Sequence, residues 1–309
     1  MRVLVTGGAG FIGSHIVEEL LAQKNDIVVL DDVSTGNASN VPINGVKFIR
    51  ATITDHEALE NAMNGVDLVF HEAAQTSVAR SLIHPKETWE INIRGTKLLL
   101  NAAVKAGVKR VVFASSAAVY GNAIPPLKES KDPKPISPYG DSKRMGELLM
   151  QEYSEKEGLE TISLRYFNVY GQRQNPKSEY SGVISKFIDR MANDLRPVIY
   201  GSGTQSRDFI FVKDVVAANM LAAKAKKAKG EVYNIATGSV ISINELVKTL
   251  NAVLGKNIEP IFEPERAGDI KFSYADVSLA KGALGFEAKT PIQEGLKETV
   301  KWLQEQRYP

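Results

Sequence analysis

The sequence contains no cysteine, which excludes disulfides, thiolate metal sites and a cysteine nucleophile. Its four histidines stand apart, at positions 15, 56, 71 and 84, and offer no cluster for a metal. No run approaches the ~18 apolar residues of a membrane-spanning helix. An excess of one charge is also missing: 38 basic side chains face 36 acidic ones, for a formal net charge of +2. No basic run offers the phosphate-tracking surface that a nucleic-acid binder needs. The chain opens on Met1-Arg2 and enters an apolar strand at once, without the apolar core of a signal peptide. A soluble, cytoplasmic protein is expected, with neither membrane nor nucleic acid as partner.

At 309 residues and 43% hydrophobic, the chain can bury a large core and suits one large domain or two lobes. The first half alternates short β-branched runs with helical patterns. Strands are expected at 3–5, 27–30, 46–49, 66–70, 111–113 and 161–165, with helices at about 12–21 and 96–106. Continuous apolar strands separated by helices imply parallel βαβ units covered on both sheet faces. The expected fold is α/β, a Rossmann-like doubly wound parallel sheet. After Arg165 the pattern loosens. A polar loop over 171–181 and punctuation at Pro197, Gly201 and Gly203 precede short strands at 198–200 and 232–235 and a helix at 243–253. The boundaries are set at 1–167 for a dinucleotide-binding domain and 168–309 for a smaller mixed α/β substrate lobe. About 208–231 is expected to return to the first domain.

Gly7, Gly10 and Gly13 lie in Thr6-Gly7-Gly8-Ala9-Gly10-Phe11-Ile12-Gly13, directly after the first strand and opening the first helix. Glycines there let the backbone turn tightly, approach a pyrophosphate and pack helix on strand, while helix N–H groups face the anion. Asp31 and Asp32 end the second strand, where a carboxylate can accept hydrogen bonds from the adenosine ribose and repel a 2′-phosphate. NAD is therefore expected rather than NADP. Ser34 and Gly36 in the next turn, and Phe11 and Ile12 beside the glycines, are taken as coenzyme-binding candidates.

His71-Glu72-Ala73-Ala74-Gln75 follows the fourth strand. It starts like the zinc motif H-E-x-x-H, but Gln75 replaces the second ligand, so no metal is expected. The small-residue turn, with Ala73, Ala74 and Gln75, suits close approach to a coenzyme instead.

Tyr139 and Lys143 are spaced Tyr-x-x-x-Lys, which puts both on one helix face, and Pro138 suits a helix start. A nearby cation favours the phenolate, making Tyr139 a usable proton acceptor. Ser116 leaves the fifth strand at the carboxyl edge of the sheet, placed to hydrogen-bond a reacting oxygen. Tyr-x-x-x-Lys alone is common on surface helices; the ordered set of glycine turn, strand-end acid, strand-end serine and Tyr-x-x-x-Lys is not.

This ordered set resembles the extended short-chain dehydrogenase/reductase family, and within it the UDP-sugar 4-epimerases, over nearly the whole chain. The resemblance implies that Asn92 supports the catalytic helix and the coenzyme. It places Tyr166 and Phe167 along the nicotinamide site and carries Asn168 to the substrate diphosphate. Thr52-Ile53 stands where the family often has Asp-Ile contacting adenine, a departure that shifts adenine recognition toward weaker or backbone contacts. By the same resemblance Arg207 and Arg266 grip the diphosphate, a use suited to guanidinium forks. Val198 and Tyr200 pack near the nucleobase, Asp269 lies near the ribose, and Val183 joins the substrate-binding set. Ser273 occupies a position that is a bulky tyrosine or a small residue in the family. A small side chain leaves room for a 2-acetamido group.

The activity implied is NAD-dependent C4 epimerisation of a UDP-hexose, on UDP-galactose and UDP-glucose and also on their N-acetylated counterparts, in a homodimer. Competing readings are a nucleotide-sugar 4,6-dehydratase, a ketoreductase that releases its coenzyme, and a non-catalytic NAD-binding protein. Dehydratases and decarboxylases of this type carry an acid after the fifth strand, where this chain has Ser116-Ala117-Ala118. A non-catalytic binder would not need Ser116, Tyr139 and Lys143 together.

Overall fold

Runs of Val, Ile and Leu too short for helices, each closed by glycine or a polar turn, become the strands. The computed structural model describes residues 1–42, 44–176, 182–265 and 271–307. In chain order the first half comprises β1 (Arg2–Thr6), α1 (Phe11–Ala22), β2 (Asp26–Leu30), β3 (Val46–Ile49), α2 (His56–Met63), β4 (Leu68–His71), α3 (Val78–Ile83), α4 (Pro85–Trp89), α5 (Thr96–Ala106), β5 (Arg110–Ser116), α6 (Pro138–Glu157) and β6 (Glu160–Tyr166). The second half adds β7 (Asn168–Tyr170), α7 (Val183–Ala192), β8 (Val198–Tyr200), β9 (Ser206–Arg207), β10 (Phe209–Phe211), α8 (Val212–Ala223), β11 (Lys229–Ile235), β12 (Ile241–Ser242), α9 (Ile243–Leu254), β13 (Ile261–Glu263), β14 (Phe272–Ser273), α10 (Ser278–Leu284) and α11 (Ile292–Arg307).

One seven-stranded sheet runs β11-β6-β5-β4-β1-β2-β3, and each neighbouring pair is parallel. Alternate side chains of one strand feed opposite faces. Val3 and Val5 pack with Ile16, Val17 and Leu20 of α1 and with Val215 and Ala218 of α8. Leu4 packs with α2, α5 and α6 through residues such as Leu59, Leu100 and Met150. Each fully buried aliphatic of this kind contributes roughly 1.5–3 kcal/mol, and the two faces together bury the sheet.

Local signals set the helix ends. Ser137 caps α6 by accepting from Gly140 N, Pro138 fills the first turn, and Gly158 closes the helix at φ 68°. In α9 Ser242 and Glu245 form a reciprocal capping box, which satisfies two otherwise orphaned N–H groups.

The second lobe has another character. Its strands are two or three residues long, in pairs and one triplet. They pack on α7, α9 and α11 through a core that includes Phe187, Ile199, Phe209 and Leu246.

Strand order reverses at β1, which has β2 on one side and β4 on the other. Ligand crevices in doubly wound sheets open at the strand carboxyl ends at such a point. Register places Thr6 beside His71 and Ser116 beside Tyr166, so four functional segments meet at one edge. Among the described residues no helix is long and apolar enough to cross a membrane.

Candidate active site

The glycine turn meets the turn after β4 at van der Waals distance. Gly7 sits at φ +70°, and a Cβ there would stand 2.7 Å from Ala73 N. A Cβ on Gly13 would collide with Gly7 O, and one on Gly36 would lie 2.5 Å from Ala9 O. The result is a side-chain-free cradle at the amino end of α1, where helix N–H groups favour an anion. That cradle fits a dinucleotide pyrophosphate.

Asp31 is buried and holds this cradle in shape: Oδ2 accepts from Ala9 N at 2.9 Å and Oδ1 from Val33 N at 2.7 Å. Burial pushes its carboxyl up, against those two bonds. A carboxylate has about four lone-pair sites, so ribose hydroxyls can still be served after both backbone donors. Asp32 accepts from Ser34 N at 2.9 Å. Phe11 packs edge-on to His15, and Ile12 is partly buried against both the sheet core and the second-lobe core. Ile53, 3% exposed, packs against Gly95, whose absent Cβ would lie 2.8 Å from it. Thr52 Oγ1 lies 3.2 Å from Thr54 Oγ1.

The turn after β4 is tied to the catalytic helix through Asn92. Its Oδ1 accepts from Gln75 N at 2.7 Å, and its Nδ2 donates to Gln75 O and to Ser142 Oγ, each at 2.9 Å. Asn92 lies in a π-type turn, Glu90–Gly95, a distortion common at functional sites. Ala73 N donates to Thr6 Oγ1 at 3.3 Å, and Ala74 is half-buried beside it.

Ser116, Tyr139 and Lys143 converge at this edge. Lys143, buried, donates from Nζ to Ala114 O at 2.7 Å and lies 6.0 Å from the centre of the Tyr139 ring. Burial lowers Lys143 to about 8, with Glu72 opposing. The sequence-based expectation that the cation leaves Tyr139 easily ionised needs correction. Burial dominates and raises the phenol, a hydrogen bond with Ser116 lowers it, and the negative charge of Glu72 raises it again. The ammonium is engaged with Ala114 rather than with the phenol.

Several groups at this edge carry no sequence motif of their own. Glu72 accepts from Tyr166 Oη at 2.8 Å, and Asn219 Nδ2 of α8 donates to the same phenol at 2.8 Å. Glu147, fully buried, takes both arms of Arg165 at 2.8 Å each and accepts from Ser115 Oγ at 2.6 Å. This network braces β5 and β6 against α6 directly under Ser116 and Tyr166. Phe167 is buried against Tyr120 at 6.3 Å between ring centres.

Across the crevice, Asn168, Val183, Val198, Tyr200 and Arg207 line one cavity of about 300 Å³. Arg207 Nη1 donates to Ser206 O at 2.9 Å, and Asn168 Nδ2 donates to Asp208 O at 2.9 Å. Ser273 is paired in register with Arg207 and is half-buried. Arg266 and Asp269 lie outside the described residues. Asp208 is the clamp here: it is fully buried and accepts from Thr237 N, Thr237 Oγ1 and Gly238 N at 2.6–2.9 Å. Its neighbour Arg207 could be read from the sequence because guanidinium suits phosphate. Asp208 bonds to residues 29 and 30 positions away, which no local pattern announces. Among the described residues no group of three His, Asp or Glu side chains could hold a metal ion.

Residues 3–236 match the NAD-dependent epimerase/dehydratase family. A putative UDP-glucose 4-epimerase of Methanocaldococcus jannaschii is 41% identical over 97% of this chain and 98% of its own length. The crystal structure of a Thermotoga maritima UDP-glucose 4-epimerase with UDP-glucose aligns with a TM-score of 0.95 at 39% identity, covering 99% of this chain and 100% of the other. A Methanobrevibacter ruminantium UDP-N-acetylglucosamine 4-epimerase in complex with UDP-N-acetylmuramic acid aligns equally, at 0.95 and 40%, covering 99% of this chain and 98% of the other.

Proposed function

We propose that this chain, which belongs to the NAD-dependent epimerase/dehydratase family, inverts C4 of a UDP-linked hexose through a transient 4-ketose. One observation carries this reading. Ser116, Tyr139 and Lys143 meet at the sheet edge beside the glycine cradle, while positions 117 and 118 are alanines. A dehydratase needs an acid to move protons at C6, and this segment supplies none.

Tyr139 takes the proton of the sugar 4-hydroxyl and later returns it. Ser116 hydrogen-bonds the same oxygen, and Lys143, fixed on Ala114, keeps a positive charge beneath the phenol. NAD, when bound, supplies the hydride acceptor and donor. Arg207 and Asn168 hold the diphosphate end in the cavity, so that the hexose can present either face. Ser273, small and beside Arg207, leaves space for a 2-acetamido group, which extends the substrates to UDP-N-acetylhexosamines. The similar enzyme with a UDP-N-acetyl ligand supports that extension.

We read the chain as a homodimer joined by the helices after Asn92 and around Tyr139, α5 and α6, with the exposed apolar side chains of the neighbouring α3 and α4 able to extend that face. Leu82, Ile83 and Trp89 are 62%, 72% and 51% exposed there, and Met145 and Leu148 extend the apolar strip. Size-exclusion elution at monomer volume would remove the homodimer from this reading.

The test is incubation of purified protein with UDP-galactose and, separately, UDP-N-acetylgalactosamine without added NAD, resolving the C4 epimers. Conversion of either supports an epimerase carrying its own coenzyme. Release of a keto sugar, or silence even with NAD supplied, would overturn it.

A further inference from the structure

Buried side chains run from the glycine turn to the catalytic helix in an unbroken chain of hydrogen bonds. Thr6, which closes β1 just before Gly7, lies 2.8 Å through Oγ1 from Nδ1 of His71 at the end of β4. His71 Nε2 lies 2.9 Å from Thr96 Oγ1, and Thr96 Oγ1 donates to Asn92 O at 2.6 Å. The chain passes through Asn92 from its carbonyl to its amide. Asn92 Nδ2 donates to Ser142 Oγ at 2.9 Å, and Ser142 Oγ donates to Tyr139 O at 2.8 Å. Thr6, His71, Thr96, Asn92 and Ser142 are each at most 4% exposed.

The protons of this chain have one consistent direction. A carbonyl cannot donate, so the hydroxyl proton of Thr96 goes to Asn92 O, and His71 Nε2 must carry the proton it shares with Thr96. Thr6 Oγ1 accepts from Ala73 N at 3.3 Å, and among the described residues its own proton has no acceptor besides His71 Nδ1. A second ring proton would leave the Thr6 hydroxyl hydrogen stranded in a fully buried place. His71 is therefore a neutral imidazole, protonated on Nε2. Asn92 cannot turn over either, because Oδ1 accepts from Gln75 N and Nδ2 serves both Gln75 O and Ser142 Oγ. A buried network satisfied at every member is rigid.

We propose that His71 is a positioning residue that holds the coenzyme cradle in register with the turn of α6 that carries Tyr139. The proposal deepens the reading of Tyr139 as proton acceptor and rests on it where turnover is concerned. Imidazole suits this place because one rigid ring accepts on one side and donates on the other. β4 already lies beside β1 in the sheet. The particular contribution of the ring is to carry that register out of the sheet, to Thr96 and Asn92 and so to α6. The ring also packs tilted on Phe113, at 5.5 Å between centres, and the hydrogen-bonding role has to be separated from that contact.

The experiment follows NAD release from holoenzyme, trapping the free coenzyme as NADH with an alcohol dehydrogenase and ethanol. His71→Phe keeps a ring against Phe113 but makes neither hydrogen bond, and should release NAD about tenfold faster. Ser142→Ala, at the far end of the chain, should also speed release on its own and add nothing in the His71→Phe background. Unconnected distant sites add independently. No effect of Ser142→Ala alone, or its full persistence in His71→Phe, overturns the proposal. His71→Gln reaches Thr96 but not Thr6, and should fall between wild type and His71→Phe. A packing role predicts the opposite order, with His71→Phe the milder, and that order also overturns the proposal. Should His71→Phe not fold, His71→Gln serves as the background, since the chain is cut there at Thr6. The release assay needs no sugar nucleotide, so silence on UDP-galactose counts against the epimerase reading and leaves His71 to be decided by NAD. Where turnover is seen, kcat should fall about tenfold in His71→Phe with KM nearly unchanged; a raised KM at unchanged kcat overturns the positioning role.

Discussion

The two walls of the crevice are held by different means. On the coenzyme side, strands of four to seven residues lie in register, and polar groups at their ends such as Thr6, His71 and Ser115 are buried and paired. On the opposite wall, β8, β9 and β14 have two or three residues each, and a buried carboxylate, Asp208, joins the turn at Thr237 and Gly238 to the strands that carry Arg207 and Ser273. Long parallel strands fix reacting groups relative to one another with little freedom. A wall of short strands around one clamp offers a ligand only a few fixed points. For the proposed reaction that division is useful, since proton and hydride transfer need tight geometry and the hexose must turn.

The contrast can be broken from either side. Tyr139→Phe removes the proton acceptor and should cost about 10³-fold in kcat while coenzyme stays bound, read by turnover and by absorbance of the purified protein. Arg207→Met, on the looser wall, should instead raise KM for the UDP-hexose by about 10–100-fold, the worth of a charge-assisted hydrogen bond, and leave kcat within a few-fold.

Asp208→Asn sets an amide NH₂ against the N–H and O–H donors of Thr237 and Gly238. A loss of about 1–3 kcal/mol in unfolding free energy is expected, measured by urea denaturation, with KM rising more than kcat falls. Ser273→Tyr should have the smallest effect on plain hexoses and a selective one on N-acetylhexosamines. Equal slowing of both would end the gatekeeper reading.

The coenzyme wall also carries a pH signature. Burial lowers His71 to about 3 from an ordinary 6.5. Between those values the unfolded chain binds a proton that the folded chain refuses, so stability is lost as pH falls from about 6.5 toward 3. Urea midpoints measured down that range should decline, and His71→Gln should flatten the decline.

Much of this wall was legible. Gly7 and Gly13 sit where only a backbone can pass, and Tyr139, Lys143 and Ser116 sit at spacings set by helix and strand periods. The apolar runs marked β1 to β6 because strands buried on both faces must be apolar throughout. The partners of those residues were not legible. Glu72 looked like half of an absent zinc motif, and Asp31 like a ribose ligand alone, whereas it also holds Ala9 and Val33. Tyr139 illustrates the limit best: its spacing from Lys143 is local, but its ionisation depends on burial, on the Ser116 hydroxyl and on a carboxylate in the turn after β4.

The order of amino acids by itself determined the strand and helix pattern, the glycine cradle and the residues able to exchange a proton, because these follow from steric rules acting over a few neighbouring residues. Only the tertiary structure decided that β11 joins the main sheet beside β6, that Glu72 faces Tyr166 across 94 positions, and that Asp208 ties the strands of the second wall to the turn at Thr237 and Gly238. Burial and charge act through space, and their sign at each group is known only once distant segments have been brought together.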